Sequence, residues 1–175
     1  EVGAVSNTAG FGPAAWPSGS SGAGTYLTNK YSNNMHTHLI TPIYEIPENS
    51  TARLTFKSWV CTEANWDGGA VSLSTDGGES WWYIPPDLNG FHDQISQVNT
   101  QSPFYGEGIF DGSKVNGGCR NVVRGFDLKQ ADLSNLTGQS VRARFTFFSD
   151  TYVQLDGWYI DDAGVEVDIY ETQGE

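Results

Sequence analysis

The sequence predicts an all-β fold, a two-sheet antiparallel β-sandwich. Several segments alternate apolar and polar side chains with the period of two that is typical of half-buried strands. The 175 residues include 21 glycines and only 17 % charged residues, a composition that suits many short strands joined by tight turns. No helical pattern extends over three turns, and no internal repeat is present. The length favours a single domain, residues 1–175, over two small ones.

The first half of the chain predicts an irregular segment and then two strands. Residues 1–25 are rich in Gly, Ser, Ala and Pro, which predicts an irregular lead-in rather than a packed element. Residues 39–46 predict an opening strand that is interrupted near an edge, because prolines lie among its apolar side chains. Residues 52–60 alternate, which predicts a half-buried strand with Leu54 and Phe56 on one face.

The strongest hairpin signal lies in residues 69–84. Val71 and Leu73 are predicted to point inward, and the serines that follow each of them are predicted to point outward. Residues 76–78, Asp-Gly-Gly, supply a turn, because glycine adopts positive φ without a steric cost. A strand that begins with two tryptophans returns after this turn.

The second half of the chain predicts three further strands. A polar, glycine-rich stretch after the hairpin predicts long loops around a short strand near residues 105–110. A strand is predicted at residues 123–128 and is followed by a turn. Residues 141–148 alternate most clearly and predict a core strand, and the last strand is predicted at residues 158–170, with a bend at Gly164.

The net charge and the hydropathy of the chain limit the classes of partner that it could bind. Nine Lys and Arg residues against 21 Asp and Glu residues give a formal net charge of −12, which disfavours nucleic acid and anionic lipid as partners. Since no apolar run reaches about 18 residues, no membrane insertion is predicted. The chain begins with Glu1 and not with Met, which predicts a processed piece of a larger protein. The acidic excess suits calcium sites, although it is also typical of a solvated surface.

Two groups of oxygen-bearing side chains are candidate metal ligands. Glu63, Asn65 and Asp67 alternate, so an extended segment would place all three on one face as part of a calcium shell. Asp161 and Asp162 are adjacent carboxylates, which repel each other unless a cation, donor groups or water compensate them. Asp161 is a candidate to complete the same shell. The alternative is that these aspartates only accept backbone hydrogen bonds at turns.

Other motifs in the sequence give weaker evidence for a metal site or an active site. Residues 87–93 have oxygen ligands at alternate positions but lack the distal Glu of an EF-hand loop. His36 and His38 are two imidazoles without a third ligand, which indicates surface or loop histidines rather than a zinc site. Cys61 and Cys119 either form a disulfide or are two buried thiols. No nucleophile elbow, phosphate-binding loop or dinucleotide fingerprint occurs, so the chain is predicted not to be an enzyme.

Aromatic side chains are candidate ligand contacts. Trp81 and Trp82 are neighbours in a predicted strand and therefore point to opposite faces, so that one is buried and the other is at least partly exposed. An exposed Trp82, with Trp66 or Tyr105 nearby, would stack on a sugar or anchor a protein partner. The alternative is that these rings fill the space between two sheets.

Three blocks of the sequence resemble a known family in their order and spacing. They are E-A-N-W-D-G-G-A-V-S-L-S-T-D-G-G-E-S-W at 63–81, R-F-T-F-F-S-D at 144–150 and G-W-Y-I-D-D at 157–162. They resemble the corresponding blocks of immune inhibitor A-like and MAM-like jelly-roll domains, and the resemblance covers residues 31–167. It implies a jelly roll of the concanavalin or galactose-binding kind. Such domains are accessory modules of secreted metallopeptidases and of adhesive or cell-surface proteins.

The resemblance also implies a function and site residues. It implies a secreted or cell-surface, non-catalytic module that is stabilised by calcium and binds a glycan or a cell-surface protein. The alternative is a structural accessory domain that packs against a neighbouring metallopeptidase domain of its own chain. Calcium is carried onto Asp161 most directly, then onto Glu63 and Asp67, with Asp162 as a weaker candidate. Related domains often have a glycine-tryptophan pair where this chain has Gly118 and Cys119. This departure favours a disulfide between Cys119 and Cys61.

Overall fold

Antiparallel strands make up the structure, a computed structural model. It describes residues 1–3, 11–86, 88, 91–97, 99–112 and 125–170. In chain order the strands are β1 (Val2–Gly3), β2 (Gly22–Gly24), β3 (His36–Ile40), β4 (Tyr44–Glu45), β5 (Ser50–Cys61), β6 (Gly68–Ser74), β7 (Trp82–Tyr83), β8 (Gln94–Ile95), β9 (Gly108–Ile109), β10 (Asp127–Asp132), β11 (Ser140–Phe148) and β12 (Gly157–Ile169). The described part also holds a 3-10 turn, Ser134–Leu136, and no helix with the length and apolar composition of a membrane span.

Two sheets form the sandwich. The first sheet has the strand order β1-β2-β12-β5-β10, and the second has the order β3-β11-β6-β7, with β4 also paired to β11. Strands β8 and β9 form a separate antiparallel ribbon. The predicted all-β fold of two antiparallel sheets is therefore confirmed.

Aromatic rings fill the space between the sheets. Phe56 of β5 is fully buried, and its ring meets those of Phe110 and Phe145 edge to face, at centroid distances of 5.6 and 4.9 Å. Trp158 of β12 stacks on Phe110 at 5.3 Å. Such pairs contribute ~0.5–1.5 kcal/mol each beyond the area that they bury. Trp158 and Ile160 lie together in this core, as the alternation of the last strand predicts.

The lead-in differs from its prediction as an irregular segment. Its β1 and β2 extend the first sheet, with β2 paired to β12. Trp16 and Leu27 pack on the outer face of that sheet against Trp59 and Tyr159. Strands built of glycine and alanine carry no alternation of apolar and polar residues, which is why the sequence pattern did not reveal them. The described residues of the lead-in therefore contribute two short strands and a buried tryptophan to a packed layer.

Two smaller differences concern register and burial. The strand expected at 123–128 begins at Asp127 and ends at Asp132 within the described residues, because it pairs with residues 53–58 of β5. Ser72 and Ser74 lie on the outer face of the second sheet as expected, but both are fully buried. Ser72 lies opposite Arg144 and Ser74 opposite Arg142, and Phe104 and Ile109 pack on Ala70 of the same strand, so an outward direction does not mean exposure.

We predict that Gly69→Ala lowers the free energy of unfolding by about 1–3 kcal/mol, a typical cost of overpacking a core. A Cβ at this position would lie 2.1 Å from the ring of Trp158, which the core holds in place. Thermal or urea unfolding measures the change. Gly164→Ala is the matched control, because nothing lies within 4 Å of its Cβ position. Equal stability of the two variants would contradict the packing of Trp158 on β6.

Candidate functional site

The loop between β5 and β6 carries two of the predicted ligands. The backbone N–H groups of Trp66 and Asp67 both donate to the carbonyl oxygen of Glu63, at 3.2 and 3.0 Å. Asn65 has a φ of +68°, and its N–H donates to Asp111 at 2.9 Å. The segment is a tight turn and not extended. The Oδ1 of Asn65 accepts a hydrogen bond from Nε2 of Gln94 at 2.9 Å, so this side chain points away from Glu63 and Asp67, which stay together.

Asp67 is the most buried carboxylate of this loop, with 1 % of its surface exposed. The hydroxyl of Tyr31 donates to its Oδ2 at 2.7 Å, and the backbone N–H of Asp150 donates to its Oδ1 at 2.7 Å. The hydroxyl of Thr62 donates to its backbone oxygen at 3.0 Å. Each carboxylate oxygen thus has one donor, which fixes the side chain and leaves acceptor capacity on both oxygens.

Asp150 completes a group of three carboxylates. It lies after β11, and the ligand atoms of Glu63, Asp67 and Asp150 are all within 4.8 Å of one another. Oε2 of Glu63 is buried and has no hydrogen-bond partner in the part of the chain that the structure describes. Asp150 was not predicted as a ligand from the sequence, although it is the last residue of the second family block. We call Glu63, Asp67 and Asp150 the acidic cluster.

Burial and mutual repulsion raise the pKa values in this cluster. Burial raises the pKa of Asp67 from its usual 3.8 to about 6, with smaller upward contributions from the charges of Asp150 and Glu63. Burial, followed by the charge of Asp150, also raises the pKa of Glu63. Burial and then the charge of Asp67 raise the pKa of Tyr31. Among the described residues no Lys or Arg pairs with the cluster, so its negative charge is uncompensated.

Asp161 and Asp162 lie elsewhere, which corrects the expectation that Asp161 completes the shell of Glu63 and Asp67. Asp161 accepts hydrogen bonds from the N–H of Ser18 at 3.1 Å and of Asp162 at 2.9 Å. Asp162 pairs with Lys57 at 2.8 Å. Since Asp161 faces Lys57 in the middle of β5, about 13 Å of strand separates it from the end of β5 at the loop.

The candidate aromatic contacts do not form one patch. Trp82, Trp66 and Tyr105 are 40 %, 43 % and 54 % exposed, and no ring contact joins them within the described residues. Trp82 pairs with Leu73, whereas the ring of Trp81 lies on the other face of the sheet, over Arg144. The predicted opposite orientation of the two tryptophans is confirmed, but the expected burial of one of them is wrong, because Trp81 is only half-buried.

Only one of the two cysteines in the predicted disulfide belongs to the described residues. Cys61 ends β5, is 2 % exposed, and is not a free cysteine. Cys119 lies outside the described residues, so its pairing with Cys61 stays a prediction. Asp87, Asn89 and Gly90 of the loop at 87–93, the second candidate calcium site, also lie outside them, so that site stays a prediction.

The fold and the acidic cluster together define a class: a two-sheet β-sandwich domain that gathers carboxylates in the loops at one end of its central strands. The sequence model of the family described as "Immune inhibitor A-like, MAM domain" matches residues 17–172. The chain belongs to this family, and the resemblance carried by the three sequence blocks is confirmed.

Two curated relatives match most of the chain. Bacillopeptidase F of Bacillus subtilis (strain 168) is 27 % identical over 151 residues, which are 86 % of this chain and 8 % of that protein. Immune inhibitor A of Bacillus thuringiensis subsp. alesti is 26 % identical over 144 residues, which are 82 % of this chain and 17 % of that protein. The chain therefore spans less than a fifth of the length of either relative.

We predict that Asp67 makes the metal-free protein less stable as the pH rises from about 4 to about 6. The folded protein holds this proton at a higher pH than the unfolded chain, so the contribution is favourable at low pH and is lost as the pH rises through the folded pKa of about 6. Thermal melts in chelator at several pH values measure it. Asp67→Asn, which resembles the protonated acid in shape, should be less sensitive to pH in this range. Parallel curves for the two proteins would contradict the raised pKa.

Proposed function

We infer that this chain is a non-catalytic accessory module of an exported multidomain protein, and that calcium bound at the acidic cluster stabilises it. The cluster is the observation that carries the calcium assignment. Three carboxylates that converge without a cationic side chain among the described residues are costly, because like charges disfavour one another and burial disfavours each charge. A site of this kind is expected to bind a cation.

The residues present fit calcium rather than a softer metal. Carboxylate oxygens are the ligands that calcium prefers, and no imidazole or thiolate belongs to the cluster. Glu63 would use the oxygen that has no protein partner, and Asp67 and Asp150 would use their remaining acceptor capacity. A bound calcium ion supplies the positive charge that the cluster lacks. Glu63 and Asp67 belong to one loop and Asp150 to another, so these three residues would then join the two loops.

The comparisons support a role outside catalysis. One relative is named as a peptidase, but the chain corresponds to only 8 % of its length. A share this small supports a module that accompanies a catalytic domain. The neighbouring domain of the same chain is accordingly the first candidate partner, and a secreted or extracellular location is part of this proposal. A Cys61–Cys119 disulfide would suit that location, because such bonds persist in oxidising compartments.

Binding of a glycan or a cell-surface protein is the second candidate role. The observation that favours it is the exposure of Trp82, Trp66 and Tyr105, since large aromatic side chains are frequent contacts for sugars and for protein partners. Because these rings are dispersed, each of them would contribute separately.

We predict that calcium raises the melting temperature of the protein by about 5 to 10 °C at a concentration ~100-fold above its Kd. Binding to the native state alone is worth ~2.7 kcal/mol at that concentration, and a chain of this length gains about 2–4 °C per kcal/mol. Melts of the protein in chelator and after return of calcium measure the effect. Glu63→Gln combined with Asp150→Asn should remove most of the calcium-dependent rise.

Asp162→Asn is the matched control, because it removes one carboxylate at the bulge of β12 and leaves the acidic cluster intact. It should keep the rise due to calcium. An unchanged melting temperature after verified removal of metal would overturn the calcium assignment. Loss of the rise in Asp162→Asn, with a normal rise in the double variant, would move the ion from the cluster to β12.

A further inference from the structure

The outer face of the second sheet carries several cationic and ionisable side chains. Arg142 and Arg144 lie there on β11, because the residues that alternate with them point into the core. His36 and His38 of the neighbouring β3 are exposed, and His38 bonds with the hydroxyl of Thr146 at 2.9 Å. The prediction that these histidines lie at the surface is confirmed.

The outer face of the second sheet differs from the first sheet in how its cationic side chains are paired with carboxylates. There Arg53 pairs with Glu166 at 2.7 Å and Lys57 pairs with Asp162 at 2.8 Å. Lys129 of β10 likewise pairs with Asp93, at 3.4 Å. All three strand cations of that sheet have a carboxylate, as expected in a chain of net charge −12. Among the described strands, a Lys or Arg without a carboxylate partner is the exception and occurs only on β11.

The two arginines of β11 are that exception. Arg142 donates to the backbone oxygens of Thr41 and Gly77, at 2.9 and 3.2 Å. Arg144 lies over the ring of Trp81 at 4.6 Å, and its Nε is buried without a hydrogen-bond partner in the described structure. Neither arginine pairs with a carboxylate among the described residues. The buried Nε–H is out of reach of a ligand, so an anion would meet the two terminal NH2 groups of the guanidinium, for which the described residues supply no hydrogen-bond partner.

The cross-strand register surrounds Arg144 with groups suited to a sugar. Ser72 of β6 faces Arg144 directly, and Tyr83 of β7 faces Ser72. Trp81 and Tyr83 are both half-buried. The guanidinium covers one face of the Trp81 ring, and the Tyr83 ring packs edge to face with Phe104 at 5.6 Å, so a ligand would meet the remaining exposed surface of each ring. Sugars present apolar ring faces to aromatic side chains and hydroxyl groups to polar ones. Arg144 therefore offers a site for an anion, and Trp81 and Tyr83 beside it offer surface for a pyranose ring.

The charge of the rest of the molecule selects among anions. A polyanion, such as an acidic peptide or a nucleic acid, would be repelled by a protein of net charge −12. A sugar with a single carboxylate brings one negative charge to Arg144 and an otherwise neutral body to the aromatic rings. We propose that the outer face of β3, β11, β6 and β7 binds an acidic saccharide, with its carboxylate on Arg144 and its ring against Trp81 and Tyr83. This site deepens the binding role proposed above, and it rests on that role.

Titration of the ¹⁵N-labelled full chain with methyl glucuronide, followed by NMR, tests the proposal. Backbone signals of β11, β6 and β7 should shift, and neutral methyl glucoside should bind ~10-fold or more weakly, because hydrogen bonds to a charged group are among the stronger ones. Arg144→Gln should lose a similar factor for the glucuronide. Arg53→Gln is the matched control, since it removes a strand arginine from the other sheet, and it should leave the affinity unchanged.

Several results would overturn the proposal. They are the absence of any shift with glucuronide, equal binding of glucoside and glucuronide, and an affinity for glucuronide that Arg144→Gln leaves intact. A tri-glutamate peptide that binds as tightly as glucuronide would assign the face to a protein carboxylate instead. A melt of Arg144→Gln shows whether the variant is folded. If calcium still raises the melting temperature but no saccharide binds, the saccharide proposal is wrong and the calcium proposal stands.

Discussion

Strand β12 pairs with β5 from Gly157 to Ile169, and this pairing positions both the core and the surface layer of the first sheet. The register places Trp158 in the core and Tyr159 under the lead-in. A slip of one residue would exchange these faces, and it would expose the indole that stacks on Phe110. The indole N–H also donates to the hydroxyl of Ser58 on β5 at 2.9 Å. The core thus holds the register through a polar contact as well as through packing.

The pairing of β11 with β6 brings Asp67 and Asp150 of the acidic cluster together, because Phe148 lies opposite Gly68. Gly157 lies opposite Cys61, so the loop that precedes β12 and the loop that follows β5 lie at the same end of the sheet. Asp67 and Asp150 meet there, and the N–H of Asp150 binds Asp67 directly. Hydrogen bonds from Tyr31 and Asp150 stabilise the ionised Asp67, but burial outweighs them and its pKa stays raised. Ionised Asp67 therefore lowers the stability of the fold at this end of the sandwich.

Sequence patterns predicted what depends on alternation and missed what depends on long-range pairing. The strands at 52–60, 141–148 and 158–170 were predicted because their side chains alternate between a core and a second environment. The strand of Gly22–Gly24 was not, since its small residues have no such pattern. The family resemblance made Asp161 the preferred calcium ligand. Its place opposite Lys57 is instead a matter of register, which a single sequence does not reveal.

Strand β11 connects the two proposed sites without making them one. Its outer side carries Arg144, and the chain reaches Asp150 six residues later, about 20 Å away if extended. At physiological ionic strength the Debye length is about 8 Å, so a charge at the acidic cluster is largely screened at Arg144. Binding of a cation at one end should therefore alter the affinity of the sheet face little through charge alone. A measurable coupling between the two would have to pass through the packing of β11 against β6, which pair from Arg142 to Phe148.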